Sequence, residues 1–285
     1  MGLLTGQAYS TFDSDQQPVI MRFILFLFAI ACFAEAGAQD RLFTYTYQSG
    51  VLNKGQKEIE VWSTFANGRE NFYKATEHRM EFEVGLGGKL QTSFYLNYGY
   101  SKYVEDDNGI QSLKSDAAYS FSNEWKLKIS DPVANRLGSA IYFEYTLAPD
   151  ETGLEGKLIL DKQTGHFTNA FNLVGEFVSV KTFTANGPNL DTGRAAELNV
   201  ELNYGLSYSL TDNLNIGVEI FNQNQIENSS WENSVLLAGP CISYTSKGFW
   251  INLTCMPQIT NLKGNGPDLI EHERVQTRLV FSYEF

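Results

Sequence analysis

Apolar and polar side chains alternate through the last residues of the chain, Arg274 to Phe285 (RVQTRLVFSYEF). Val275, Leu279, Phe281, Tyr283 and Phe285 share one parity. Arg274, Gln276, Arg278, Ser282 and Glu284 share the other, where Val280 is the one apolar exception. A period of two marks a strand with one apolar and one polar face. The run is longer than the usual soluble strand of about five or six residues and suits a tilted bilayer-spanning strand of about 9–11. The same alternation recurs upstream and predicts strands over 56–65, 77–86, 90–103, 115–129, 137–148, 154–162, 166–181, 195–210, from Leu214 onward, 232–245 and 249–258. The cleanest is 195–210, where Leu198, Val200, Leu202, Tyr204, Leu206, Tyr208 and Leu210 oppose Asn199, Glu201, Asn203, Ser207 and Ser209. Connections alternate in length: short turns at 87–89, 130–136, 163–165, 211–213 and 246–248, longer polar loops at 66–76, 104–114, 149–153, 182–194, 222–231 and 259–270. Short turns at one end and long loops at the other, with an even strand count, predict an all-β protein: a transmembrane antiparallel up-and-down β-barrel of about twelve strands over residues 56–285. Closure removes the sheet edges and pairs every backbone polar group within the chain, as lipid requires.

Two resemblances agree with this pattern. A terminal Phe preceded by aromatics at alternate positions, Phe281, Tyr283 and Phe285, resembles the C-terminal signal that the barrel-assembly machinery of the bacterial outer membrane reads. The stretch from Leu42 to Tyr98, LFTYTYQSGVLNKGQKEIEVW followed by HRMEFEVGLGGKLQTSFYLNY, is similar to a widespread, uncharacterised Gram-negative outer-membrane β-barrel family. That resemblance implies an outer-membrane location and a barrel fold, and brings no substrate and no catalytic residue. Relatives are loosely called transporters or porin-like, a label at the level of fold.

The N-terminal region reads as a leader. Residues 1–20 carry no folding pattern and read as a mis-called upstream extension. Met21, Arg22, the apolar run Phe23–Ala31 and Ala36-Gly37-Ala38 form a secretory signal peptide over 21–38 with cleavage after Ala38. Cys32 sits in a poor lipobox. In residues 39–55 Phe43, Tyr45 and Tyr47 alternate with Thr44 and Thr46; this segment is periplasmic or lumenal, as a short strand, an aromatic plug or a plain lead-in.

Composition narrows the function classes. A hydrophobic content of 43% without a long apolar run excludes a helical membrane protein, and alternating strands hide their hydrophobicity from averages. The net charge of −12 becomes −10 once the leader removes Arg22, Asp13, Asp15 and Glu35, and it argues against nucleic acid as a partner. Three cysteines, one of them in the leader, make no disulfide framework. Register from the Lys247-Gly248 turn points Cys241 inward and Cys255 outward, as free thiols.

The polar parity carries Glu58, Glu60, Glu81, Glu83, Glu124, Glu144, Glu176, Glu201, Glu219 and Glu284, with Arg79, Lys126, Lys128, Lys157, Arg274 and Arg278 opposing them. One reading is a hydrated, cation-biased passage for small solutes lined by these carboxylates. The other is a lumen closed by cross-strand ion pairs, Arg274 and Arg278 meeting Glu58 and Glu60 where the last strand closes on the first. Twelve strands lie between barrels filled by side chains and wide porins, so a narrow or partly plugged conduit is the middle case. No cofactor or metal is expected; the acidic loops 105–109 and 149–151 lack a complete calcium-loop pattern. His78 and His272, both near the outer rim, are the one hint of a rim hydrolase, but G-x-S-x-G and H-E-x-x-H are lacking. The expectation is therefore a porin-like channel and not an enzyme, with a closed structural or ligand-binding barrel acting through its loops as the alternative.

Overall fold

A computed structural model of the chain describes residues 41–107, 109–227 and 230–285. The upstream extension, the signal peptide with its cleavage site and Cys32 lie outside the described residues. Twelve strands follow one another: β1 Lys57–Asn67, β2 Tyr73–Gly87, β3 Leu90–Asp107, β4 Ile110–Ser130, β5 Gly138–Leu147, β6 Glu151–Thr164, β7 Phe167–Asn186, β8 Asn189–Ser209, β9 Leu214–Glu227, β10 Ser230–Ser246, β11 Phe249–Asn261 and β12 Val275–Glu284. Each pairs antiparallel with its sequence neighbour, and β12 pairs with β1 to close the barrel.

The burial pattern is inverted relative to a soluble sheet. Along β1, Ile59, Val61 and Phe65 are exposed while Glu58 and Glu60 are buried. Phe94, Leu96, Trp125, Leu127, Phe143, Phe171, Leu173, Leu198, Leu202, Ile216, Val218, Leu253 and Phe281 likewise face outward. Water would oppose so continuous an apolar girdle, whereas lipid requires it. Rings gather at the turn end: Phe249 stacks on Phe281 at 6.2 Å, Tyr283 on Phe285 at 6.4 Å, and Phe82 lies 6.4 Å from Phe285 across the closing seam. The Phe285 amide donates to the Lys57 carbonyl at 3.0 Å, so the terminal residue belongs to that seam.

Most of the expected outer loops are strand. The pairing of β3 with β4 continues to Asp107 and Ile110, and that of β7 with β8 to Asn186 and Asn189. These strands have 18, 21, 20 and 21 residues. At about 3.3 Å per residue, 21 residues exceed even a tilted crossing of a band about 25 Å tall, so both hairpins project beyond it. Outside the membrane neither face needs to be apolar, and the polarity that reads as loop at 104–114 and 182–194 is that of a hydrated hairpin. The connection before β12 remains irregular.

The hairpin of β10 and β11 pairs Tyr244 with Ile251, Ile242 with Leu253 and Cys241 with Thr254. Cys241 is buried beside Phe43 and Ala170, Cys255 is exposed, and both are free. In lipid-embedded protein a membrane-permeant maleimide is expected to label Cys255 alone, read by mass spectrometry. Labelling of Cys241 before unfolding would contradict this packing.

A lumen plugged by the N-terminal segment

Apolar residues on the polar parity explain what fills the barrel. Val280, the exception in the last strand, is fully buried in a cluster with Trp62, Ala140, Tyr142, Ile159, Trp250 and Tyr47. Phe221, Val235, Leu237 and Met256 form a second cluster around Tyr45. Phe43, Tyr45 and Tyr47 belong to the segment that precedes β1, which therefore lies inside the lumen. Their period of two gives the segment three rings to insert among wall side chains.

Its backbone is held by the wall. The Glu219 carboxylate accepts the amides of Thr44 at 2.8 Å, Tyr45 at 2.8 Å and Thr46 at 3.0 Å, along with the Thr254 hydroxyl at 2.8 Å. Consecutive amides converging on one anion form a nest, and bonds to a charged acceptor are the strong ones. Asn172 exchanges two bonds with the Tyr47 backbone, at 2.6 and 2.9 Å. Asp161 accepts the Ser49 amide at 3.1 Å, and Gln91 accepts the Leu52 amide at 2.9 Å. Unpaired buried amides are costly, so these acceptors account for a strandless chain inside a barrel. Two glycines make room. A Cβ on Gly205 would lie 2.7 Å from the Phe43 ring, and one on Gly85 would lie 2.0 Å from the Asn53 carbonyl oxygen.

Cations stack on the plug's rings. Arg41 lies 4.0 Å over Tyr47 and 4.4 Å over Trp62, and its Nη1 is 3.5 Å from Glu60. Arg278 lies 3.9 Å over Tyr45, and Lys157 Nζ lies 4.2 Å over Tyr47. In a desolvated site such contacts are worth about 2 kcal/mol or more each.

The plug separates two cavities, and Tyr47 lines both. At the turn end a space of 140 Å³ is lined by Arg41, Glu60, Glu83, Glu124, Lys126 and Asp161, among others. At the hairpin end a vestibule of 540 Å³ is lined by Trp62, Arg79, Glu155, Lys157, Glu176, Glu201 and Arg278 along with Tyr45 and Tyr47. At the smaller cavity's mouth Asp131 accepts from Lys128 and from the amides of Val133 and Ala134, which hold its carboxyl below the usual range.

Of the residues expected to line the lumen, Glu58, Glu60, Glu81, Glu83, Glu124, Lys126, Glu144 and Glu219 are buried inside, while Arg79, Glu176, Glu201 and Arg278 line the vestibule. Arg79 pairs with Glu144 at 3.0 Å and Lys157 with Glu155 at 2.9 Å. Arg274 is a correction. It is exposed and precedes β12, its amide bonded to Gly68 in the loop at the hairpin end. The expected meeting of Arg274 and Arg278 with Glu58 and Glu60 does not occur either. Antiparallel closure sets the end of β12 against the start of β1, so Glu58 faces Glu284, Glu60 faces Ser282, and Arg278 faces Thr64. Glu219 is taken up as the plug's anchor and does not line a free passage. Asp161, Asn172 and Gln91 were not singled out by sequence, because nothing local marks a polar wall residue as an acceptor for a distant amide. The rings on the polar parity were the available signal.

Each rim histidine has its own local neighbours. His78 is bonded through Nδ1 to the Ser63 hydroxyl at 3.0 Å and stacks on Tyr98. His272 is half-buried, and burial lowers its pKa, while nearby Glu273 is engaged by Arg69 at 2.6 Å.

Residues 35–285, plug and barrel together, match a known protein family. The chain belongs to DUF6662, a family of unknown function. No curated protein matches the sequence. Among solved structures, the fold is similar to the COG4313 outer membrane channel from Pseudomonas putida F1 (TM-score 0.57, 10% identity, 88% of this chain and 100% of that one). It is also similar to the translocator domain of the autotransporter NalP from Neisseria meningitidis (0.53, 9%, 95% and 98%). A third is the NanC porin (0.50, 9%, 79% and 98%). At such identities the likeness establishes the fold, that of outer-membrane channels, porins and translocators.

Proposed function

We propose that this DUF6662 protein is an outer-membrane channel for small hydrophilic solutes, held shut by its own N-terminal segment. The observation that carries this reading is the polar attachment of the plug between two polar cavities, one toward each end. The segment joins β1 at the turn end, where Gly55 takes a φ of +84° that eases a change of direction. Withdrawal toward that end, the periplasmic one by analogy of short turns, unites the cavities into a passage. Lipid meets the apolar girdle, and Phe281, Tyr283 and Phe285 serve as the element the assembly machinery reads. Carboxylates outnumber cations along the vestibule, where Glu77, Glu151, Glu155, Glu176 and Glu201 face Arg79, Lys157 and Arg278, so the open state favours cations modestly. No catalytic role is assigned.

In planar bilayers, the exported chain is expected to show small or rare openings, and the variant lacking residues 41–54 a larger, sustained conductance with cation preference. Folded deletion variant that does not conduct would sink the channel reading and favour a closed barrel that binds its ligand in the vestibule.

A further inference from the structure

At the turn end of the lumen β1 and β2 bring four glutamates together. Glu58 faces Glu83 and Glu60 faces Glu81 in the register, and all four are buried. One carboxylate oxygen each from Glu58, Glu60 and Glu83 lie within 4.8 Å of one another. Glu58 Oε1 accepts from Trp250 Nε1 at 2.8 Å and from the Ser282 hydroxyl. Glu60 Oε2 accepts from Trp62 Nε1 at 2.7 Å, and Glu83 Oε2 from Gln91 Nε2 at 2.7 Å. These donors orient the three carboxylates but neutralise none of them.

Glu81 supplies a second, independent observation. It is 1% exposed, neither of its buried carboxylate oxygens meets a donor in hydrogen-bond geometry, and in the register it faces Glu60 on the inward parity shared with Glu83. Among the described residues, Arg41 is the one cation within 4.0 Å of any of the four, on Glu60. Buried carboxylates without partners are strongly disfavoured unless a proton or a cation joins them. Glu60 and Glu83 also border the 140 Å³ cavity, which has space for an ion and its remaining waters.

We propose that Glu58, Glu60, Glu81 and Glu83 form a binding site for a hard divalent cation, with Ca²⁺ the best match. The donors are all carboxylate oxygens, which suit Ca²⁺ or Mg²⁺, whereas zinc and copper sites draw on imidazole or thiolate. Glutamates on two paired strands leave the ligand distances adjustable, which Ca²⁺ tolerates and Mg²⁺ does not. The ion would cross-link β1 and β2 at the start of the barrel, next to the pair that Arg41 makes with Glu60.

The bonds from Trp62 and Trp250 to two of these ligands provide a specific readout, because an indole next to a lanthanide sensitises its emission. The folded, exported chain is treated with chelator and titrated with Tb³⁺ under indole excitation, then with Ca²⁺ in competition. Saturable emission at one ion per chain, displaced by Ca²⁺ and weakened at least tenfold in affinity in a Glu58→Gln/Glu83→Gln variant, is the expected result. Emission that survives the double substitution overturns the proposal, since it then comes from acidic residues elsewhere. Should that variant fail to fold, Glu81→Gln replaces it with the same expected weakening. Folded wild-type protein with neither sensitised emission nor a Ca²⁺-dependent rise in its unfolding temperature overturns the site outright.

Discussion

Replacing Glu219 by Ala is expected to release the plug while leaving the barrel closed as a sheet. The wild-type carboxylate is fully buried and accepts three consecutive amides, of Thr44, Tyr45 and Thr46, together with the Thr254 hydroxyl. Bonds to a charged acceptor contribute about 1.5–3 kcal/mol each, and a buried amide left without an acceptor costs about 1–3 kcal/mol. Loss of even two of them outweighs the about 1.4 kcal/mol that shifts an equilibrium tenfold. Attachments remain on both sides of this anchor: Asn252 Nδ2 and the Ser243 hydroxyl donate to the Arg41 carbonyl at 2.7 and 3.2 Å, and Asn172, Asp161 and Gln91 hold later residues, so the middle of the segment, Thr44 to Thr46, is freed most. Single-channel open probability is therefore expected to rise by at least tenfold. In the variant lacking residues 41–54 the same substitution should add no further opening, because the two changes act through one contact. Unchanged gating in Glu219→Ala would mean that the rings and the remaining wall bonds hold the plug without this anchor.

Leu202→Arg should have the largest effect on the barrel itself. Leu202 lies in β8, is 40% exposed on the outward face, and pairs with Leu173 of β7 and Asn222 of β9. An arginine on the lipid face near the bilayer middle costs about 2–4 kcal/mol. Its neighbour Glu201 has the opposite orientation and lines the vestibule. Glu201→Arg is expected to change unfolding much less and to shift the open state of the plug-deleted channel toward anions. Urea unfolding in lipid vesicles reads the first contrast, and reversal potential in a salt gradient reads the second. Equal destabilisation by both substitutions would contradict the assignment of faces.

The contrast between residues 201 and 202 is legible in the sequence, because a strand's side chains alternate by geometry whatever lies around them. The strand count and phase follow from the same rule. So do the hairpin register that turns Cys241 in and Cys255 out and the apolar face of β12. Polarity cannot distinguish a loop from a hairpin that has left the membrane, so β3, β4, β7 and β8 run further than the pattern indicates. Arg274 shares the parity of the polar face, but parity has no meaning one residue before the strand begins.

The lumen was decided by tertiary structure. Alternation says which side chains point inward and says nothing about what they meet there, since that depends on contacts between residues more than a hundred positions apart. Thr44 with Glu219 and Tyr47 with Asn172 are such contacts. The sequence by itself determined a twelve-stranded barrel with a polar interior and an aromatic segment ahead of it. Only the closed fold placed that segment inside, turned Glu219 from a wall charge into its anchor, and brought Glu58, Glu60, Glu81 and Glu83 together. Closing the ring makes distant strands face one another across a narrow lumen, and sequence spacing carries no record of that distance.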